Sequence, residues 1–338
     1  MKKIISLFLV AVMALSIVAL AGCGDKKEES AGDKALKLGM GVYSTLNKAI
    51  SAEGETQGTG AATVTVAGVL MDGDKIVKCV IDVADNTVNF TSDGKAVKPA
   101  EFKTKYELGD AYGMKAYGGA KKEWYEQADA FTSLVEGKTY EEVKALVGAE
   151  NKGNDEVISA GCTIMISDFI FAIENAVKNV KDSKAVKDNT LKIGMISTAS
   201  TKDASEEAKG SVGFDVSIAV VASDKDGKVT AADSDVVSAS FEFDTKGETS
   251  KDTAKVTSKK EAGANYGMAS YGQDLNGDGT VKEWFEQADI LDEKIIGKKA
   301  DEITALAADT GYGVDDVQKA GCTINIGDMV KAAVKACK

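Results

Sequence analysis

The sequence predicts an α+β fold built twice over, as two tandem repeated modules, each an antiparallel sheet with helices in its second half. Three observations carry this expectation. Ala160-Gly161-Cys162-Thr163-Ile164 returns as Ala320-Gly321-Cys322-Thr323-Ile324. Earlier landmarks recur in the same order: Tyr112-Gly113-Met114 as Tyr266-Gly267-Met268, and Glu123-Trp124-Tyr125-Glu126-Gln127-Ala128-Asp129 as Glu283-Trp284-Phe285-Glu286-Gln287-Ala288-Asp289. Within each copy, apolar alternation of period 2 comes first and helical spacing later, which is the order of an α+β unit with antiparallel pairing.

The chain opens with Lys2 and Lys3, a mostly apolar run from Ile4 to Ala19, and then Leu20-Ala21-Gly22-Cys23. This is the layout of an export signal. Its last four residues resemble the lipobox of bacterial lipoproteins, which implies a leader over 1–22 and a lipidated Cys23 as the mature first residue. An uncleaved anchor is the competing reading, but the run is short for a membrane-spanning helix and a polar stretch follows at once. Residues 23–35 lack apolar periodicity and read as a tether. The expected location is therefore the extracellular face of the bacterial cell membrane, lipid-anchored.

Loss of Lys2 and Lys3 with the leader takes the formal net charge from −12 to −14. Such acidity, with no cluster of Lys or Arg, disfavours nucleic acid and anionic lipid as partners. The chain has no histidine, which removes Ser-His-Asp and Cys-His catalysis and the commonest transition-metal ligand. Cys79, Cys162, Cys322 and Cys337 are spaced too widely for a zinc knuckle. Their pairing is open.

The first module is expected over 36–180, a polar linker over 181–190, and the second module over 191–338. Each opens on a short apolar segment, Leu36-Lys37-Leu38-Gly39-Met40 and Leu191-Lys192-Ile193-Gly194-Met195. A hairpin follows in each: Thr63 to Leu70, a turn at Asp72-Gly73-Asp74, then alternating Val77, Cys79, Ile81 and Val83 in the first; Phe214 to Val221, Asp224-Lys225-Asp226-Gly227, then Val229 onward in the second. The second copy adds an alternating stretch from Val236 to Phe243. Cys79 reads as core, since Ala232 stands in the matching strand.

Trp124, Ala128, Phe131 and Leu134 then make a helical stripe that Trp284, Ala288 and Leu291 repeat, so both tryptophans read as core. Thr139-Tyr140-Glu141-Glu142 fits a capping box opening a helix through Leu146. Asp168 and Asp328 are expected N-caps of terminal helices over Phe169 to Val180 and Met329 to Cys337. Glu123 with Glu126, and Glu283 with Glu286, read as pairs on a solvated face. Tyr112-Gly113-Met114 and its repeat lie on loops, where they either plug the open end of each module or cover a planar ligand.

A Gly-Cys-Thr turn entering a helix offers backbone N–H groups and a hydroxyl to a phosphate. In each module a glycine-containing start, a hairpin with an Asp-Gly turn, a variable middle and Asp-x-Val-x-x-Ala-Gly-Cys-Thr-Ile precede an Ala/Val-rich helix. This layout resembles the FMN-binding domain of bacterial surface flavoproteins, whose turn reads Ser-Gly-Ala-Thr and whose covalent members carry FMN on the threonine. The resemblance is specific in the last thirty or so residues of each module. It implies that Gly161, Cys162, Thr163, Gly321, Cys322 and Thr323 hold the cofactor, and that the chain is an electron carrier with a redox partner at the envelope and not an enzyme. The cofactor supplies the redox chemistry. Ala160 and Ala320 depart from the family's hydroxyl residue, Cys162 and Cys322 from its alanine, and Val157 and Val317 from its acidic residue.

Two other readings stand beside this one. The turn is structural, with Cys as a small buried hydrophobe and Thr satisfying helix-end donors, in which case the modules are cofactor-free binding units for a solute, a glycan or an envelope partner. Alternatively Cys162 and Cys322 are redox-active thiols, against which burial of both would count. Finally, the second copy carries six extra residues between its Tyr-Gly-Met and Trp landmarks, including Asp274-Leu275-Asn276-Gly277-Asp278-Gly279. Asp274, Asn276 and Asp278 have the ligand spacing of the first half of an EF-hand calcium loop, but Phe285 stands where that loop needs Glu. It is either a polar turn or a weak, structural calcium site.

Overall fold

A computed structural model describes residues 34–338 except 48, 250–252, 273, 275, 276 and 278. The leader, Cys23 and nearly all of the tether lie outside the described residues. Among those described, no helix is long and apolar enough to cross a membrane.

The chain is α+β, and three antiparallel strands followed by a run of helices occur twice along it, the second time with one further helix. Strands β1 (Lys37–Leu46), β2 (Gly58–Asp72) and β3 (Lys75–Phe90) pair antiparallel in sequence order, and the short β4 (Ala96–Val97) adds to β3. Helices α1 (Lys105–Leu108), α2 (Trp124–Val135), α3 (Tyr140–Lys144), α4 (Asp155–Ala160) and α5 (Ser167–Lys178) follow. After the linker strand β5 (Lys181–Asp182) come β6 (Thr190–Lys202), β7 (Gly210–Ser223) and β8 (Val229–Phe243), again antiparallel in order. Strand β9 (Ala254–Val256) and helices α6 (Lys259–Ala262), α7 (Met268–Tyr271), α8 (Trp284–Ile295), α9 (Ala300–Thr304), α10 (Asp315–Lys319) and α11 (Gly327–Ala336) complete the second copy. The hairpin turns fall where expected, with Gly73 and Gly227 at positive φ. The alternating stretch from Val236 to Phe243 is the continuation of β8, and β3 is as long, so it is no addition to the second module.

Each sheet is buried on both faces, which explains the unbroken buried run from Val64 to Met71 in β2. One face packs under the module's own helices, around Phe131, Ile173 and Val157 in the first copy and Leu291, Ile303 and Val317 in the second. The opposite faces of the two sheets pack on each other through Leu38, Met40 and Val66 against Met195, Ile218 and Val220. Farther along, Phe90 stacks on Phe243 with ring centres 4.6 Å apart, and Phe241 tilts against both. The layers therefore run helix, sheet, sheet, helix. Glycines in β1 and β6 let the terminal helices approach the sheet: a Cβ on Gly41 would overlap the carbonyl of Ala172, and one on Gly194 the carbonyl of Ala332.

The linker is bonded to both modules. Residues of β5 pair with β1 (Lys37 with Asp182), and Leu36 donates its N–H to Ala185, a fully buried residue, at 2.8 Å. Lys184 donates to Thr230 of the second sheet at 3.3 Å. Strand β9 belongs to the second module by sequence but pairs with β1 of the first (Ser44 with Val256).

Several local expectations need correction. The terminal helices begin at Ser167 and Gly327, with Ile166 and Ile326 in the cap position, and Asp168 and Asp328 lie in the first turn. Burial of both isoleucines fixes the start, and the aspartates there still face the positive end of the helix dipole. The capping box at Thr139 and Glu142 is present, but its helix ends at Lys144. In α2 the inward stripe is Trp124, Ala128, Phe131 and Val135, while Leu134 is only partly buried.

Candidate functional site

The repeated turn is held by hydrogen bonds that are the same in both copies. Gly161 closes α4 at φ +100 and Gly321 closes α10 at φ +101, a left-handed conformation that glycine alone adopts freely. Gly161 N–H donates to Ile158 (3.0 Å) and Cys162 N–H to Val157 (3.1 Å); the counterparts are Gly321 to Gln318 (2.8 Å) and Cys322 to Val317 (3.2 Å). The next residue turns to the helix behind it. Thr163 donates its N–H (2.8 Å) and its hydroxyl (3.0 Å) to Gln127 Oε1, and Thr323 donates the same pair (2.8 and 3.1 Å) to Gln287 Oε1.

The glutamines are themselves fixed. Gln127 Nε2 donates to the Lys122 carbonyl at 3.0 Å and lies 3.8 Å from Met114 Sδ; Gln287 Nε2 meets the Lys282 carbonyl at 2.9 Å and Met268 Sδ at 3.3 Å. Glu123, buried at the cap of α2, accepts from the N–H groups of Met114 (2.8 Å) and Lys115 (3.0 Å), and Glu283 accepts likewise from Met268 and Ala269 (2.9 and 3.2 Å). Glu126 and Glu286 return a bond to the cap N–H, completing capping boxes. Glu123 and Glu283 thus clamp the Tyr-Gly-Met loop to the helix instead of lying on a solvated face, while Glu126 is partly exposed and Glu286 exposed, as that reading expected. A residue whose carboxylate takes two backbone N–H groups has a reason to be buried that spacing alone does not reveal.

This geometry alters two expectations. The amides of Gly161, Cys162 and Thr163 are all engaged within the protein, and helix α5 starts four residues after Thr163, so the turn does not present a row of free N–H donors to a phosphate. What remains outward is the threonine hydroxyl, oriented by glutamine with its lone pairs free; Thr163 is exposed and Thr323 half-buried. Cys162 and Cys322 point inward and are fully buried in separate cores. Burial pushes their thiols up to about 11 and about 12, against the N–H groups of Ile164 and Ile324 that donate to the sulfurs. All four described cysteines are free thiols, and Cys79 is core as expected.

In the second module the turn borders a cleft of about 390 Å³ lined by Tyr266, Met268, Trp284, Tyr312 and Ile324 together with Gln287 and Thr323. Lys259 places its ammonium 5.6 Å from the ring centres of both Tyr266 and Trp284. Lys105 does the same in the first module, 5.3 Å from Tyr112 and 5.9 Å from Trp124. Such a cation over aromatic faces is stabilising. Both lysines belong to a repeated Lys-x-Glu-x-Gly stretch seven residues before the Tyr-Gly-Met tyrosine, Lys105-x-Glu107-x-Gly109 and Lys259-x-Glu261-x-Gly263, whose spacing alone does not reveal the aromatic contacts. Tyr312 has Lys152 at the matching bridge of the first module, so no internal repeat signals it.

The proposed metal loop is partly described. Asp274 accepts from the N–H groups of Gly277 (2.7 Å) and Gly279 (2.9 Å), which closes the turn through the protein's own donors. Asn276 and Asp278 lie outside the described residues. The acidic groups that do converge are Asp233, Asp289 and Asp292, whose oxygens lie within 4.8 Å of one another. They surround Lys260, whose ammonium is 2.5 Å from Asp233, 3.0 Å from Asp289 and 3.2 Å from Asp292. Burial pulls that ammonium down, but the three carboxylates outweigh burial and hold it well above lysine's usual value.

No protein-family model matches the chain. No solved structure matches it either. It is similar to the chlorophenol reductase of Desulfitobacterium hafniense, 37% identical over 93 residues, a stretch covering 24% of this chain and 28% of that protein. The chain thus matches under a third of the length of that curated relative.

Proposed function

We propose that the chain is a membrane-anchored extracellular lipoprotein that carries FMN beside its Gly-Cys-Thr-Ile turn and passes electrons to a redox partner at the cell envelope. The observation that carries this reading is the aromatic cleft at Thr323, of about 390 Å³, with Trp284, Tyr266 and Tyr312 on its walls. A cleft of that size and lining suits a planar aromatic ring. The ring would lie among these side chains, with Lys259 on the rim and Thr323 at the lip facing the phosphate. When bound, the flavin supplies one- and two-electron chemistry; the protein supplies orientation and shielding from water. The partial similarity to a protein named as a reductase also favours a redox setting.

The engagement of every turn amide favours a second reading, a cofactor-free surface binding module that uses the same cleft for an aromatic or sugar ring of a solute, glycan or envelope partner. An absorption spectrum and an intact mass of the chain, produced in an exporting host that has a flavin transferase, separate the two. Flavin absorbance with a mass gain of one or two FMN units supports the carrier and directs attention to Thr163 and Thr323. A colourless protein of unmodified mass that stays colourless after incubation with FMN leaves the binding module.

A further inference from the structure

The two turns are alike but their surroundings are not. Most residues lining the cleft at Thr323 recur in the first module, Tyr266 and Trp284 as Tyr112 and Trp124 among them. Three lining residues break the repeat. Val281, Tyr312 and Asn325 stand where the first module has Lys121, Lys152 and Met165.

The backbone makes these positions equivalent. Tyr312 bridges to Asn325 just as Lys152 bridges to Met165, so the same loop lies against the residue two places after the threonine in both copies. Val281, like Lys121, stands three residues before the tryptophan, but in the second copy six extra residues precede it. The longer loop returns onto the segment after Tyr-Gly-Met, where a Cβ on Gly272 would lie 2.6 Å from Val281 Cγ1. The insertion therefore ends in an apolar side chain on the cleft. The cover over the turn differs in the same sense: Thr323 is half-buried, whereas Thr163 is exposed and Met165 beyond it is 66% exposed.

These exchanges change what a planar ring meets. A tyrosine and a valine give it an aromatic face and an aliphatic contact. Lysines at the same two positions keep their ammonium groups in water, and a ring laid over them strips that hydration. Lys152 is moreover engaged by Glu150, at 3.5 Å.

We propose that the second module alone carries the flavin, and that Tyr312 and Val281 are the residues that decide between the copies. This rests on the flavin reading of the cleft and adds to it a stoichiometry of one ring per chain. It also gives the inserted loop a role that needs no metal. In the first module the repeated threonine, glutamine and tryptophan serve the fold.

The test is equilibrium binding of FMN to the full-length chain, with bound flavin counted by its absorbance after ultrafiltration. Saturation at one FMN per chain is expected. Tyr312→Lys and Val281→Lys install residues that the first module accommodates at the same positions, and each should weaken binding by about tenfold, the effect of losing a stacked ring or an aliphatic contact. Tyr312→Phe keeps the ring and should weaken binding far less. Saturation at two FMN per chain, undiminished binding to a folded Tyr312→Lys or Val281→Lys chain, or a Tyr312→Phe chain as impaired as Tyr312→Lys would each overturn this inference and leave the carrier reading standing. A native chain that binds no FMN would remove both.

Discussion

Gln127 takes both hydrogens that Thr163 has to give, the N–H at 2.8 Å and the hydroxyl at 3.0 Å, through one oxygen. Gln287 and Thr323 repeat this at 2.8 and 3.1 Å. A buried amide thus sets the direction of the outward-facing hydroxyl in each module. Gln127→Ala leaves the Thr163 N–H and the Lys122 carbonyl without their partner, and about 2 kcal/mol of destabilisation is expected from groups so exposed to mispairing. The midpoint of urea unfolding measures it, and Gln287→Ala should cost a similar amount.

Thiol reactivity follows from where the sulfurs point. Cys162 and Cys322 are fully buried and their thiols are pushed up to about 11 and about 12 by burial, so almost no thiolate forms at neutral pH. In the folded chain a maleimide at pH 7 should leave both unlabelled for hours and modify the half-buried Cys337 first. In urea all should label. Rapid labelling of Cys162 and Cys322 in the folded state would revive the redox-thiol reading.

Asp82 should give a pH signature. Burial raises its carboxyl to about 6, against hydrogen bonds from Thr104, Val83 and Tyr106, whereas in the unfolded chain it titrates near the ordinary value. The folded state therefore holds the proton more tightly between about pH 4 and 6, and this group makes the protein less stable as pH rises through that window. A shift of this size is worth about 2–3 kcal/mol at most. Asp82→Asn, which keeps an acceptor for the Tyr106 N–H, should flatten that part of the curve. Urea midpoints at pH 4.5 and pH 7 for both proteins provide the comparison.

Lys260 sits among three carboxylates, two of them buried almost completely. Lys260→Met removes the cation and leaves like charges facing one another, with only Lys181 to compensate. The expected cost is about 3–5 kcal/mol at neutral pH. Partial recovery is expected as pH falls, because protonation of a carboxylate relieves the repulsion. A thermal melt at pH 7 and pH 5 checks both the size and the sign.

The strands and hairpin turns were legible because alternation and Asp-Gly turns are local signals. Sheet-to-sheet packing was not, since alternation reports which residues share a face and not what covers it; the unbroken apolar run in β2 was the available sign that both faces are covered. Asp168 looked like a cap because capping residues are recognised by type, but burial of Ile166 places the helix start. Glu123 and Glu283 were misread for a similar reason, as burial through backbone N–H donors leaves no trace in spacing. At the site, the repeat located Thr163 and Thr323 and kept Gln127 and Gln287 in view without their role. Tyr312 and Lys260 belong to one copy only, so repetition could not point to them.

The chain has two tryptophans, and each lies beside one turn. Titrating FMN into the full-length chain while following tryptophan emission, with Trp124→Phe and Trp284→Phe variants to assign the signal, therefore tests the central claim most directly. The account predicts saturable quenching of Trp284, retained in Trp124→Phe and weakened by Tyr312→Ala. Emission that falls only in proportion to the absorbance of added FMN, with no saturation in any of these proteins, would contradict it.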